Sequence, residues 1–195
     1  MNVSYAVDDA GGPVLREPAH IAFGLAVDVP GPDGERRLLV PSVKRADLMD
    51  LAGFVAACED LVRRTREGGL GVDDFRGTTV TLTNPGMFGT LHSVPRLMPG
   101  QGLIVGVGAM DYPAAFAGAG EKTLARHGIG KTLTLTSTYD HRVIQGAASG
   151  EFLRLVERKL LGLDGFWERA FESLRIPHEP AVGRSEERRV GKECR

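Results

Sequence analysis

The chain has 195 residues, the size of one ordinary domain, and its 42% hydrophobic and 25% charged content is that of a globular protein. Lys and Arg number 24 against 25 Asp and Glu, a net charge of −1 with the signs well mixed, which argues against nucleic acid as the main partner. No apolar run approaches the ~18 residues of a membrane span, and MNVSYAVDDAGG lacks the basic and apolar regions of a signal peptide.

Residues 1–19 are polar and rich in Gly and Pro, and read as a loop or hairpin tip. IAFGLAVDV, Ile21 to Val29, reads as a largely buried strand. Asp33-Gly34 in PGPDGE signals a hairpin, and RRLLVPSV returns as a strand with Pro41 at an edge or a strand end. Asp47 then reads as a helix N-cap, with Asp50 three residues on. Leu48, Leu51, Ala52, Val55, Cys58 and Val62 recur at helical spacing, Arg63, Arg64 and Arg66 suit the C-terminal dipole, and Gly68-Gly69 stops the helix. Those arginines read as a solvated helix end. One cysteine in this helix and one at position 194 make neither a disulfide framework nor a metal site, so a reducing cytoplasm is expected.

GTTVTLTN alternates Val80 and Leu82 with threonines, a strand by period two. The Gly- and Pro-rich segment after it, PGMFGTLHSVPRLMPGQG, is long enough for a functional loop. GLIVGVGAM is the next strand. The third glycine of a G-x-G-x-x-G fingerprint would fall at Asp111, so Gly106 and Gly108 read as close backbone approach within a sheet. A loop with a short helix spans Tyr112 to Gly130, and KTLTLTSTYD forms a further strand. Helix Gly146 to Leu161 is expected to bury Phe152, Leu153, Val156 and Leu160, and Asp164 to Leu174 to place Trp167, Ala170, Phe171 and Leu174 on one face. The Trp and Phe stripe reads as core packing. The pattern is an α/β (α+β) sandwich, mostly antiparallel, with helices packed on a sheet.

Asp140-His141-Arg142 lies between the last strand and a helix start. A histidine there is firmly held yet can face a channel, as a general base requires. From spacing alone, an ordinary surface or core histidine is the more common reading of such a residue. His92 in the Gly-rich segment is the rival, as a substrate contact. Read from the strand alone, Thr83 is a plain strand residue.

Two stretches, VTLTNPGMFGTLHSVPRLMPGQGLIVGVGAM (80–110) and LTSTYDHRVIQGAASGEFL (135–153), resemble the catalytic core of the dihydrolipoamide acyltransferases, the E2 components of 2-oxoacid dehydrogenase complexes. That fold is shared with chloramphenicol acetyltransferase. The likeness covers about residues 20–176, and DGFWERAFESLRIPHEP is similar to the actinobacterial fused 2-oxoglutarate dehydrogenase/decarboxylase group, where a succinyltransferase-like domain precedes a thiamine-diphosphate E1 domain. The resemblance implies acyl transfer between dihydrolipoamide and coenzyme A, with His141 as general base and the Thr83 hydroxyl stabilising the oxyanion. The common family motif is His-x-x-x-Asp-Gly or its Asn form. Here Gln145 precedes Gly146, and a neutral amide can orient neighbours by hydrogen bonds but forms no ion pair. Asp140 and Arg142 are expected to hold the motif in shape.

Lipoamide and coenzyme A are implied as substrates, and thiamine diphosphate with Mg only in an E1 part outside this sequence. Implied partners are two further copies in a trimer whose site lies between subunits, the lipoyl domain of another E2, an E1 domain and dihydrolipoamide dehydrogenase. The alternative is a non-catalytic trimer-forming module that scaffolds the E1 domain. A chloramphenicol-type acetyltransferase fits less well, because Asp140 stands where a His-His pair would begin. The family core is expected to start ahead of Ile21, so residues 1–183 read as an N-terminally truncated transferase domain. RSEERRVGKECR, Arg184 to Arg195, reads as a non-native, adapter-derived tail.

Overall fold

A computed structural model describes residues 1–31 and 33–177, so Cys194 and the expected tail at 184–195 lie outside the described residues. Nine strands and five α-helices form three sheets and a helical layer among these residues. The central sheet has the order β6 (Ser42–Val43), β3 (Phe23–Leu25), β7 (Val80–Thr83), β8 (Leu103–Val107) and β9 (Leu135–Tyr139). Its two inner pairings, β3–β7 and β7–β8, are parallel, and its two outer ones are antiparallel.

The register sorts the side chains by period two. Phe23, Val80, Leu103 and Tyr139 align across neighbouring strands, as do Leu25, Leu82, Val105 and Ser137. These rows face the helices. Leu103 and Val105 form the core with Ile144, and Val80, Leu82, Tyr139 and Phe152 pack against it. Helix α4 (Gly146–Leu160) is fastened to β9 by a hydrogen bond between the Ser149 and Ser137 hydroxyls, 2.6 Å apart. Helix α1 (Leu51–Glu67) lies over β6 and β4 (Val27–Pro30), and Phe54 meets Phe23 edge to face.

The other rows carry Gly24, Thr81, Ile104 and Thr138, then Thr83, Gly106 and Thr136. The Gly- and Pro-rich segment covers part of this opposite face. Thr81 is only 1% exposed, and its hydroxyl donates to Oε1 of the buried Gln101 at 2.6 Å. Thr136 donates to the Ser93 carbonyl at 2.9 Å. The expected alternation therefore holds, but the threonine face is interior as well. The glycines act as expected through close approach. A Cβ on Gly106 would meet the Thr136 hydroxyl at 2.6 Å, and one on Gly108 would run into the Leu91 carbonyl.

Several boundaries differ from the sequence reading. The stretch Ile21–Val29 breaks at Ala26: β3 stays in the central sheet, while β4 forms a separate hairpin with β5 (Arg36–Leu39). RRLLVPSV divides likewise at Pro41, whose ring cannot donate to a ladder. Asp50, rather than Asp47, caps α1, accepting the Gly53 N–H at 2.7 Å. Asp47 instead accepts the Ile21 N–H and pairs with His20, so Leu48 falls outside the helix and is exposed. The most buried positions of α1 are Leu61 and Thr65, one turn apart, and Gly68 closes it in the left-handed conformation at φ 73°. Leu160 and Trp167 are both exposed, the Trp167 indole N–H donating to the Leu160 carbonyl at 2.9 Å, so the expected core role fails at Trp167, whereas Ala170 of α5 (Phe166–Ser173) is buried. Residues 1–19 contain a true hairpin, β1 (Ser4–Val7) with β2 (Pro13–Arg16).

Candidate active site

The turn between β9 and α4 is held from several sides. The Asp140 N–H donates to the Gly102 carbonyl at 3.0 Å, which continues the β8–β9 ladder one step past Tyr139. The Asp140 carbonyl accepts the N–H groups of Val143 and Ile144 at 3.0 and 2.9 Å. Ile144 is buried beneath the turn as its apolar foot. The Asp140 carboxylate, 11% exposed, receives the Arg142 Nε at 2.8 Å and Nη2 at 2.6 Å. These bonds hold the Asp140 carboxyl below the usual carboxylate range, against the opposing effect of desolvation. Asp140 and Arg142 thus brace the turn, as their place in the motif implies.

His141 sits between these two braced residues and is exposed. Its ring lies 5.6 Å from that of Tyr139, at 47°. Among the described residues no hydrogen bond occupies its ring nitrogens, so both are available to a substrate. Gln145 is the N-cap residue of α4, in extended conformation, but its side chain makes no cap hydrogen bond. Its backbone carbonyl accepts the Ser149 N–H.

Thr83 ends β7, half-buried, beside Gly106 and one strand further from Thr136. Gly106 leaves room for the hydroxyls of Thr136 and Ser93, so Thr83 stands in a hydroxyl-lined patch. The sequence reading missed Ser93 and Thr136 because their neighbourhood exists only through the sheet.

The two candidate groups do not meet within one chain. Thr83 is level with Gly106, whereas His141 lies beyond Tyr139, which is level with Leu103. At ~3.3 Å per residue and ~4.8 Å per strand, they stand roughly 15 Å apart along the sheet and about 10 Å across it. They occupy opposite ends of the sheet. Beside Thr83 the loop exposes Met87, Phe88, Leu91 and Val94, an apolar run of the kind that marks a contact surface.

His92 is exposed on this loop and touches nothing described that would fix it. His20 is the better-held imidazole: its Nδ1 lies 3.0 Å from Asp47 and its Nε2 3.4 Å from Arg45. Burial pushes the Cys58 thiol up, which disfavours the thiolate a nucleophile needs. A groove of about 910 Å³, lined by Leu135, Leu153 and Trp167, lies on the helical side at the other end of β9 from His141. Among the described residues no His, Cys, Asp or Glu cluster could hold a metal, and no helix is long and apolar enough to cross a membrane.

The fold is a mixed sheet backed by helices, with an exposed histidine on the turn that follows its edge strand. The chain belongs to the family described as 2-oxoacid dehydrogenases acyltransferase (catalytic domain), whose model matches residues 1–164. It is 56% identical over 180 residues, 92% of its length, to the multifunctional 2-oxoglutarate metabolism enzyme of Mycolicibacterium vanbaalenii. It shows the same identity and coverage to the 2-oxoglutarate dehydrogenase E1/E2 component of Corynebacterium glutamicum. The chain spans only 14% and 15% of these two relatives. Among solved structures, the dihydrolipoamide acetyltransferase of Azotobacter vinelandii superposes with a TM-score of 0.62 at 27% identity, covering 84% of this chain and 61% of its own. That structure concerns a serine, a histidine and, four residues beyond the histidine, an asparagine in the catalytic mechanism of that enzyme.

Proposed function

We propose that the chain is the acyl-transferring part of a 2-oxoglutarate dehydrogenase system, moving a succinyl group between dihydrolipoamide and coenzyme A. The observation that carries this reading is His141: exposed, with both ring nitrogens free, on a turn braced by Asp140 and Arg142. The spacing supports it as well, since Gln145 stands four residues after His141, as the asparagine stands after the histidine in the Azotobacter enzyme.

In this reading the His141 imidazole takes the proton of the coenzyme A thiol as its sulfur attacks the thioester carbonyl of S-succinyldihydrolipoamide. Electron density moves to the carbonyl oxygen, and the Thr83 hydroxyl donates to that oxyanion. When the tetrahedral intermediate collapses, the carbon–sulfur bond to dihydrolipoamide breaks. The leaving thiolate recovers the proton from the imidazolium. Gln145 orients neighbouring groups through its amide.

The separation of His141 from Thr83 within one chain requires a second copy to complete the site. The apolar loop beside Thr83 offers the surface on which the copy carrying His141 would dock. A trimer with shared sites satisfies both demands. The lipoyl domain of another E2, a thiamine-diphosphate E1 domain and dihydrolipoamide dehydrogenase are the partners this chemistry needs, and the cytoplasm is its expected setting.

Complementation tests the reading in the full polypeptide that carries these residues. His141→Ala and Thr83→Ala should each lose at least tenfold in succinyl transfer, and coexpressing them should restore part of it in mixed oligomers. Full activity of His141→Ala in an intact assembly would overturn catalysis and leave the scaffold role. Loss in both single variants without recovery on mixing would overturn the shared site.

A further inference from the structure

The N-terminal hairpin reaches the histidine turn through one aromatic ring. The Arg142 guanidinium lies over the Tyr5 ring, 3.7 Å from Cζ to the centroid, while its nitrogens bond both oxygens of Asp140. The guanidinium is therefore held on one face by a ring and on one edge by a carboxylate. Its side chain is 62% exposed, so the ion pair alone would be screened and the arginine free to swing into water. The ring removes one face from solvent and gives the cation a favourable π surface.

Tyr5 is itself firmly placed. It pairs with Leu15 inside the β1–β2 hairpin, next to the buried Ser4. The Val3 main chain lies so close to Gly102 that a Cβ there would strike the Val3 carbonyl, and Val3 packs on the core. The Asn2 amide donates to the carbonyls of Pro18 and His20 and ties the ends of the hairpin together. Gly102 in turn accepts the Asp140 N–H. The hairpin thus meets the turn twice, through Val3 at Gly102 and through Tyr5 at Arg142.

We propose that Tyr5 is a positioning residue for His141: its ring closes Arg142 onto Asp140 and so fixes the backbone that carries the imidazole. This inference rests on the reading of His141 as the base. Tyr5 touches no reacting atom. It limits how far the turn can swing, and misplacing a base by a fraction of an ångström lowers the rate of proton removal more than it weakens substrate binding.

The test measures succinyl transfer from S-succinyldihydrolipoamide to coenzyme A by the full polypeptide. Tyr5→Ala is expected to lower kcat by about fivefold, as loss of a cation–π contact predicts, and to change KM for coenzyme A by less than about twofold. Tyr5→Phe keeps the ring and should restore the rate. Tyr5→Leu keeps apolar bulk for folding but no π face, and should fall with Tyr5→Ala. Adding Tyr5→Ala to Arg142→Ala should cost nothing further. An unchanged kcat in Tyr5→Leu overturns the proposal, as does equal damage from Tyr5→Phe, which would assign the effect to the hydroxyl. A loss of rate matched by a loss of folded protein in the circular dichroism melt of Tyr5→Leu also overturns it. If His141→Ala abolishes transfer while Tyr5→Leu does not, only the positioning role fails; if His141→Ala is fully active, the base assignment fails first.

Discussion

Thr81→Val tests whether the threonine face of the sheet is interior. The substitution keeps shape and β-branching and removes only the hydroxyl that donates to Gln101 at 2.6 Å. Both residues are buried, at 1% and 5% exposure, so water cannot replace the lost donor. A buried acceptor left unpaired costs about 1–3 kcal/mol. The added methyl returns up to ~0.8 kcal/mol of apolar burial, leaving a net loss centred on about 1 kcal/mol. For a chain of this length that lowers Tm by roughly 2–4 °C. Urea unfolding followed by circular dichroism should show a lower midpoint with an unchanged slope. Thr81→Val/Gln101→Leu, which removes both partners, should recover a large part of the loss. A Thr81→Val protein within about 0.5 kcal/mol of the parent, or a double variant no better than the single, would refute the buried pair.

Gly102→Ala should destabilise by about 1–3 kcal/mol, because the new methyl meets the Val3 main chain and has no flexible neighbour to displace; thermal melting checks it. Asp50→Ala should cost about 1 kcal/mol by uncapping α1, and loss of Gly53 amide protection in hydrogen exchange would locate the effect, whereas Asp47→Ala should leave that amide protected. Because the folded Asp140 carboxyl is held below its unfolded value by Arg142, its contribution to stability is present above about pH 4 and is lost as pH falls through the folded value. Arg142→Ala should raise the Asp140 titration midpoint towards the ordinary carboxylate range, read by carbon-detected NMR; an unmoved midpoint would show that the ion pair is not its cause.

The sequence by itself determined the local elements and singled out the residues of the motif. Period two in Val80 and Leu82, helical spacing after Asp50 and the glycines at 106 and 108 each report a constraint written within a few residues, and the structure follows them. The motif's resemblance singled out His141, Thr83 and Gln145, because residue identity and short spacing survive in a linear text. Where two local signals competed, as at Asp47 and Asp50, the cap went to the aspartate whose neighbour amides were free, since a distant pairing with His20 and Ile21 had taken the other. Long-range register decided the rest. Only the pairing of β7 with β8 and of β8 with β9 shows that Thr83 and His141 stand at opposite ends of the sheet. Only the covering segment turns a polar strand face into interior through Gln101. Only the docking of a hairpin over 130 residues away in the chain brings Tyr5 under Arg142. Such contacts depend on which strands neighbour one another, and no local pattern of residues encodes that choice.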